Sequence, residues 1–187
     1  ALQELGRMDE AVTSFQKALA IKPGYLEAHI NLGNALQDLG RMDEAASSFQ
    51  NVIAINPGFA AAHNNLGLVF SELGRFNESI ASFQKALNIQ PDSLEVLNNQ
   101  GRALQRLGRL DDAVSNFEEA LTINPNSFLT HINLALALNE QGQFNGAVDS
   151  FQKALAINSG IATAHNDLGL MLNEVGRLND SVASYRE

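Results

Sequence analysis

Pro23, Pro57, Pro91 and Pro125 stand 34 residues apart, and the residues around them repeat at the same interval. Ser159, next in the series, lacks the proline but keeps the surrounding pattern. A period of this length, with two amphipathic stripes per unit, is the mark of a stacked array of helical hairpins. It overrides the one or two globular domains that 187 residues would otherwise suggest.

One unit shows the physics. From Leu26 to Leu39, Ala28, Leu32, Ala35, Leu36 and Leu39 recur at three- and four-residue spacing. That spacing predicts a helix with one buried stripe. Gly40 ends it as a residue tolerant of left-handed backbone, and Arg41-Met42 forms the turn. Asp43 is the expected N-cap of a second helix, with Glu44 in the first turn where the helix dipole favours an anion. This helix is expected over Asp43 to Asn56, with Ala45, Phe49, Ile53 and Ile55 apolar, and Pro57-Gly58 stops it.

The landmarks recur along the chain. The turn glycine is Gly6, Gly40, Gly74, Gly108, Gly142 and Gly176, and the expected N-cap is Asp9, Asp43, Asn77, Asp111, Asn145 and Asn179. A small residue inside the second helix is Ala11, Ala45, Ser79, Ala113, Ala147 and Ser181. The aromatic one turn later is Phe15, Phe49, Phe83, Phe117, Phe151 and Tyr185. In the first helix, Gly33, Gly67, Gly101, Ala135 and Gly169 let the two helices of a pair approach closely.

Leu-Gly, then an apolar residue, Ala, an aromatic, Ala and Pro in this order resembles the tetratricopeptide repeat, and the resemblance covers the whole chain. It implies an all-α fold, a right-handed α-solenoid of antiparallel helix pairs. The expected array occupies 1–187, with full repeats at 26–59, 60–93, 94–127 and 128–161 and partial ones at 1–25 and 162–187. Departures are Gln100 for the usual Leu and Ser159 for the usual Pro, which suggest local softening. The chain starts at Ala1 without Met and stops inside an expected helix, so both ends read as cuts through a longer array.

The family places first helices along a concave groove. Asn31, Asn65, Asn99 and Asn133 hold one first-helix position there, and Asp167 takes it in the last unit. An amide both donates and accepts, so such a ladder could pair with the backbone of an extended peptide. This resembles the asparagine ladder in the tetratricopeptide arms of O-linked N-acetylglucosamine transferases. A packing role for the same residues is the competing reading. Gln37, Gln105 and Asn139 belong to a second polar row with Gln3, Ser71 and Asn173. Glu4, Asp38, Glu72, Glu140 and Glu174 form an acidic row, interrupted by Arg106, with Arg102 one turn before it. The groove is therefore expected to be acidic with a basic spot, and its ligand to be a neutral or basic extended segment.

Other chemistries find little support. The formal net charge of −9 argues against a nucleic-acid face and against anionic membranes. With no cysteine, disulfides and thiolate metal sites are excluded. No apolar run is long enough to span a bilayer, and no signal peptide is visible; a cytoplasmic address is the expectation. His29, His63, His131 and His165 share one repeat position, a helix spacing apart, too far to converge on one metal. Acidic pairs such as Asp9-Glu10, Asp43-Glu44 and Asp111-Asp112 sit at helix starts, and the glycines are periodic rather than clustered into a phosphate loop. Glu27, Ala61, Glu95, Leu129 and Thr163, with Ile30, Asn64, Asn98, Ile132 and Asn166, supply none of the cations of the family's carboxylate clamp. No catalytic, cofactor or metal site is expected in this segment. The expectation is a protein-interaction scaffold, or alternatively the substrate-recognition arm of a larger enzyme such as a protein O-glycosyltransferase. Self-association through uncapped ends is a further expectation.

Overall fold

A computed structural model describes residues 2–174 and Gly176, with side chains from Arg7 onward. Asn179, Ser181 and Tyr185 lie outside the described residues, as do the side chains of Gln3 and Glu4. The described residues form ten helices and no strand. They are α1 (Leu2–Ile21), α2 (Leu26–Asp38), α3 (Met42–Ile55), α4 (Ala60–Glu72), α5 (Phe76–Ile89), α6 (Leu94–Arg106), α7 (Leu110–Ile123), α8 (Phe128–Glu140), α9 (Phe144–Ile157) and α10 (Ala162–Glu174). Contacts divide the chain into two units, residues 1–91 and 92–187. In the first, α1 to α5 pack in succession, each on its neighbour in sequence; in the second, α6 to α10 do the same, and α6 also touches α8.

The turn inside each pair is set by glycine. Gly40, Gly74, Gly108 and Gly142 have φ of 74°, 71°, 80° and 77°, where a Cβ would be strained. Gly40 N–H donates to Gln37 O (2.9 Å) and Arg41 N–H to Leu36 O (2.8 Å), so two otherwise orphaned carbonyls are satisfied. The next three turns repeat both bonds.

The second helix starts one residue earlier than its sequence suggests. Arg41, Arg75, Arg109 and Gln143 hold the N-cap position of α3, α5, α7 and α9, and none of these four side chains accepts a capping hydrogen bond from the backbone. Asp43, Asn77, Asp111 and Asn145 are therefore not N-caps; they lie inside the first turn. The preceding glycine turn delivers the chain already aimed into the helix, so the capping slot falls on the residue after it. The first turn is braced instead by Arg41 on Glu44 (2.7 Å), Arg75 on Glu78, and Arg109 on Asp112 (2.7 Å). The Arg41 hydrogen bond holds the Glu44 carboxyl below its ordinary range, and Arg75 does the same for Glu78. These pairs are exposed, so each adds little to stability.

A second correction concerns Gly6. The expected turn there is absent: α1 runs unbroken from Leu2 to Ile21. A continuous helical ladder keeps the backbone groups around Gly6 bonded.

Phe49, Phe83, Phe117 and Phe151 are buried, and each contributes roughly 1.5–3 kcal/mol by leaving water. Three of these rings lie against first-helix glycines. A Cβ on Gly33, Gly67 or Gly101 would sit 2.7, 2.6 or 2.5 Å from the ring of Phe49, Phe83 or Phe117. Ala135 carries that methyl in the remaining complete pair and is still fully buried, as is Phe151, so this pair accommodates it. Ser79 adds a buried hydrogen bond from its hydroxyl to Gly67 O (2.7 Å).

The turn between pairs has its own device. Asn56 ends α3 in extended conformation, and its Oδ1 accepts from Gly58 N–H (3.2 Å). Asn124 and Asn158 make the same turn. Because Asn158 bonds Gly160 N–H at 3.1 Å, the turn keeps its form with Ser159 in place of proline.

Candidate peptide-binding face

The histidines settle into structural work. Nε2 of His29, His63, His131 and His165 donates to the carbonyl of Pro23, Pro57, Pro125 and Ser159, at 2.8, 3.0, 2.9 and 2.9 Å. A carbonyl can only accept, so Nε2 carries the proton. Each ring is buried and ties the first helix to the residue just past the preceding second helix. Nδ1 of His29, His63 and His131 is buried with no partner. Among the described residues no cluster of His, Asp and Glu could hold a metal ion, and no helix is long and apolar enough to cross a membrane.

The asparagine row is not uniform. Asn31, Asn65 and Asn99 are half-buried on α2, α4 and α6. Asn65 Nδ2 donates weakly to Asn34 Oδ1 (3.4 Å) across α4 and α2. Asn133 is buried instead, and its Nδ2 donates to Asn98 Oδ1 (3.0 Å). Asn98 Nδ2 in turn donates to Thr130 Oγ1 (2.9 Å) and Leu94 O (2.8 Å), and Thr130 Oγ1 also meets Ser127 Oγ (2.7 Å). Asn133 thus belongs to a closed polar network between α6 and α8. Asp167 is half-buried and accepts from Asn166 Nδ2 at 3.3 Å.

The second polar row and the acidic row are linked. Gln37 Nε2 donates to Glu72 Oε1 (3.1 Å), and Gln105 Nε2 to Glu140 Oε1 (2.7 Å). Each bond joins one first helix to the next and keeps a carboxylate on the surface. Asn139 is half-buried, and Arg102 and Arg106 are exposed on α6. Among the described residues no ion pair involves either guanidinium. Residues 1–91 therefore present exposed Asp38 and Glu72 beside amides, while residues 92–187 present Arg102 and Arg106 with Glu140 and Glu174.

Sequence reasoning missed Leu129 and Leu170, large apolar side chains left 58% and 47% exposed on first helices. The signal was available: Leu129 stands where other repeats carry Glu27, Ala61, Glu95 and Thr163, and Leu170 shares its register with Leu68 and Leu136 but also with Asn34 and Arg102.

Two tetratricopeptide-repeat family models match the sequence, one over residues 58–126 and 92–160, the other over 2–63. The chain belongs to the tetratricopeptide repeat family, whose members are generally protein-interaction scaffolds. No curated protein matches it in sequence. Solved structures of similar fold include MamA 41-end from Desulfovibrio magneticus RS-1, with TM-score 0.80 and 17% identity over 86% of this chain and 91% of that one. PilF of Pseudomonas aeruginosa has TM-score 0.79 and 24% identity over 98% and 83%. YrrB, described as a TPR protein with an unusual peptide-binding site, has TM-score 0.73 and 19% identity over 91% and 88%. At these identities the likeness establishes the fold, an all-α array of helix pairs.

Proposed function

We propose that the chain is a non-catalytic scaffold that binds an extended polypeptide segment along the exposed face of its first helices. The observation that carries this reading is the half-exposed amide pair of Asn31 and Asn65, on α2 and α4 within residues 1–91. Such amides can engage the N–H and C=O groups of an extended backbone, which reads shape more than sequence. The description of YrrB as having a peptide-binding site is in keeping with it. In residues 1–91 the carboxylates of Asp38 and Glu72 flank this face and favour a neutral or basic segment there. Neighbouring first helices are joined through side chains on this face, as Gln37 to Glu72, so the surface is held in shape before a ligand arrives.

The test uses an unfolded basic polypeptide as probe: reduced ribonuclease A with its cysteines carbamidomethylated, followed by biolayer interferometry. The variant N31A/N65A is expected to bind at least fivefold more weakly with its thermal midpoint within about 2 °C of the parent. Unchanged binding, or a large fall in the midpoint, would contradict the reading.

A further inference from the structure

Within residues 92–187 the first-helix face changes character. On α8, Leu129, Ile132 and Leu136 are spaced by three and four residues and share one side of the helix. Leu129 is 58% exposed, and Ile132 and Leu136 are half-buried. Leu170 stands in α10 at the register of Leu136, 47% exposed. Arg102 holds the same register in α6, with Arg106 one turn further on, and both are exposed. α6 and α8 are direct neighbours, joined by Asn133 to Asn98 and Gln105 to Glu140. One repeat position therefore reads, pair by pair, cation, apolar, apolar.

Apolar side chains left this open and grouped with unpaired cations mark an interaction surface. The shape and charge state its occupant. Packed helices lie about 8–10 Å apart, and an extended chain advances about 3.3 Å per residue. One step along the row thus matches about three residues of an extended peptide. We propose that this face selects a peptide segment carrying an Asp or Glu side chain followed, at three-residue intervals, by two apolar side chains. The carboxylate meets Arg102 and Arg106, and the apolar side chains cover Leu136 with Leu129 and Ile132, and then Leu170. Glu140 and Glu174 are also exposed on α8 and α10 and repel an anionic membrane, which favours a peptide as the occupant. The inference rests on the groove reading above and gives it a ligand class.

The experiment is selection of a phage-displayed library of random nine-residue peptides on the full chain. Recovered peptides are then measured by fluorescence anisotropy on the parent, R102E, L129S/L170S and N31A/N65A, each checked by circular dichroism melting. The expected consensus has an acidic position and two apolar positions three apart. R102E and L129S/L170S should each weaken binding at least tenfold, N31A/N65A less than twofold, with melting unchanged. Peptides without the acidic position, or insensitive to R102E and L129S/L170S, overturn the inference. If those peptides instead lose binding with N31A/N65A, the groove reading survives alone. If no peptide is recovered, both fall. Binding of the chain to phosphatidylserine vesicles that R102E abolishes would also overturn it.

Discussion

Asn116 Nδ2 donates a 2.9 Å hydrogen bond to Gln100 Oε1, joining α7 to α6. The two residues depart from the repeat together. At their registers the other repeats carry Leu32, Leu66, Leu134 and Leu168, and Ser48, Ser82 and Ser150. Gln100 is 4% exposed, so its polar end needs partners inside the packing. Ser48 and Ser82 instead turn their hydroxyls to carbonyls of their own helix, Glu44 O and Glu78 O.

The pair should therefore behave as a unit. N116S removes a donor from a buried acceptor and should cost about 1–2 kcal/mol. Q100L/N116S restores the pattern of the other repeats and should recover most of that loss. A double-mutant cycle by urea denaturation should give a coupling of about 1 kcal/mol; additive single effects would mean the pair is incidental.

The histidine bond at each inter-pair turn can be tested at His63. H63L keeps an apolar side chain, as Leu97 does in the equivalent slot, and loses the bond to Pro57 O. It should cost about 1 kcal/mol, the net worth of one hydrogen bond. H63A also leaves a cavity and should cost about 2–3 kcal/mol. Thermal melts of the two variants check the order.

Gly67 should tolerate no larger side chain. Its missing Cβ would meet the buried Phe83 ring at 2.6 Å. G67V should lose about 2–3 kcal/mol, because overpacking a well-filled core typically costs 1–3 kcal/mol and valine adds χ1 restriction in a helix. The check is the denaturation midpoint, with G24V as control, since a Cβ at Gly24 meets nothing within 4 Å.

The amide row should divide by burial. N133A leaves Asn98 Oδ1 without its donor inside the network and should cost about 1–2 kcal/mol. N31A, at a half-exposed position, should stay within about 0.5 kcal/mol of the parent. Differential scanning calorimetry of the two variants reads this directly.

How much of this was legible follows from what repeats. The 34-residue period, the turn glycines and the first-helix glycines recur in nearly every unit, so local rules find them. The N-cap was misjudged at Asp43 because an acidic residue suits both the cap and the first turn, and only the glycine turn's backbone decides between them. Gly6 carries the turn residue without a turn, because glycine permits the left-handed conformation and does not impose it. Asn133 shares its register with Asn65 but is buried, because Asn98 and Thr130 stand beside it where Asn65 has Ile30 and Ala62. A buried amide pair of that kind depends on two residues in different repeats and is invisible to a single-register pattern. For the same reason Gln100 read as softening, when its partner lies sixteen residues away.

The central claim is that ligands dock on the first helices. Its most direct test is nuclear magnetic resonance of the labelled chain titrated with a peptide recovered from the selection above. Shifts should concentrate on α6, α8 and α10, at Asn99, Arg102, Leu129, Leu136 and Leu170, and leave α7 and α9 nearly unmoved. Shifts centred on α7 and α9 would contradict the account.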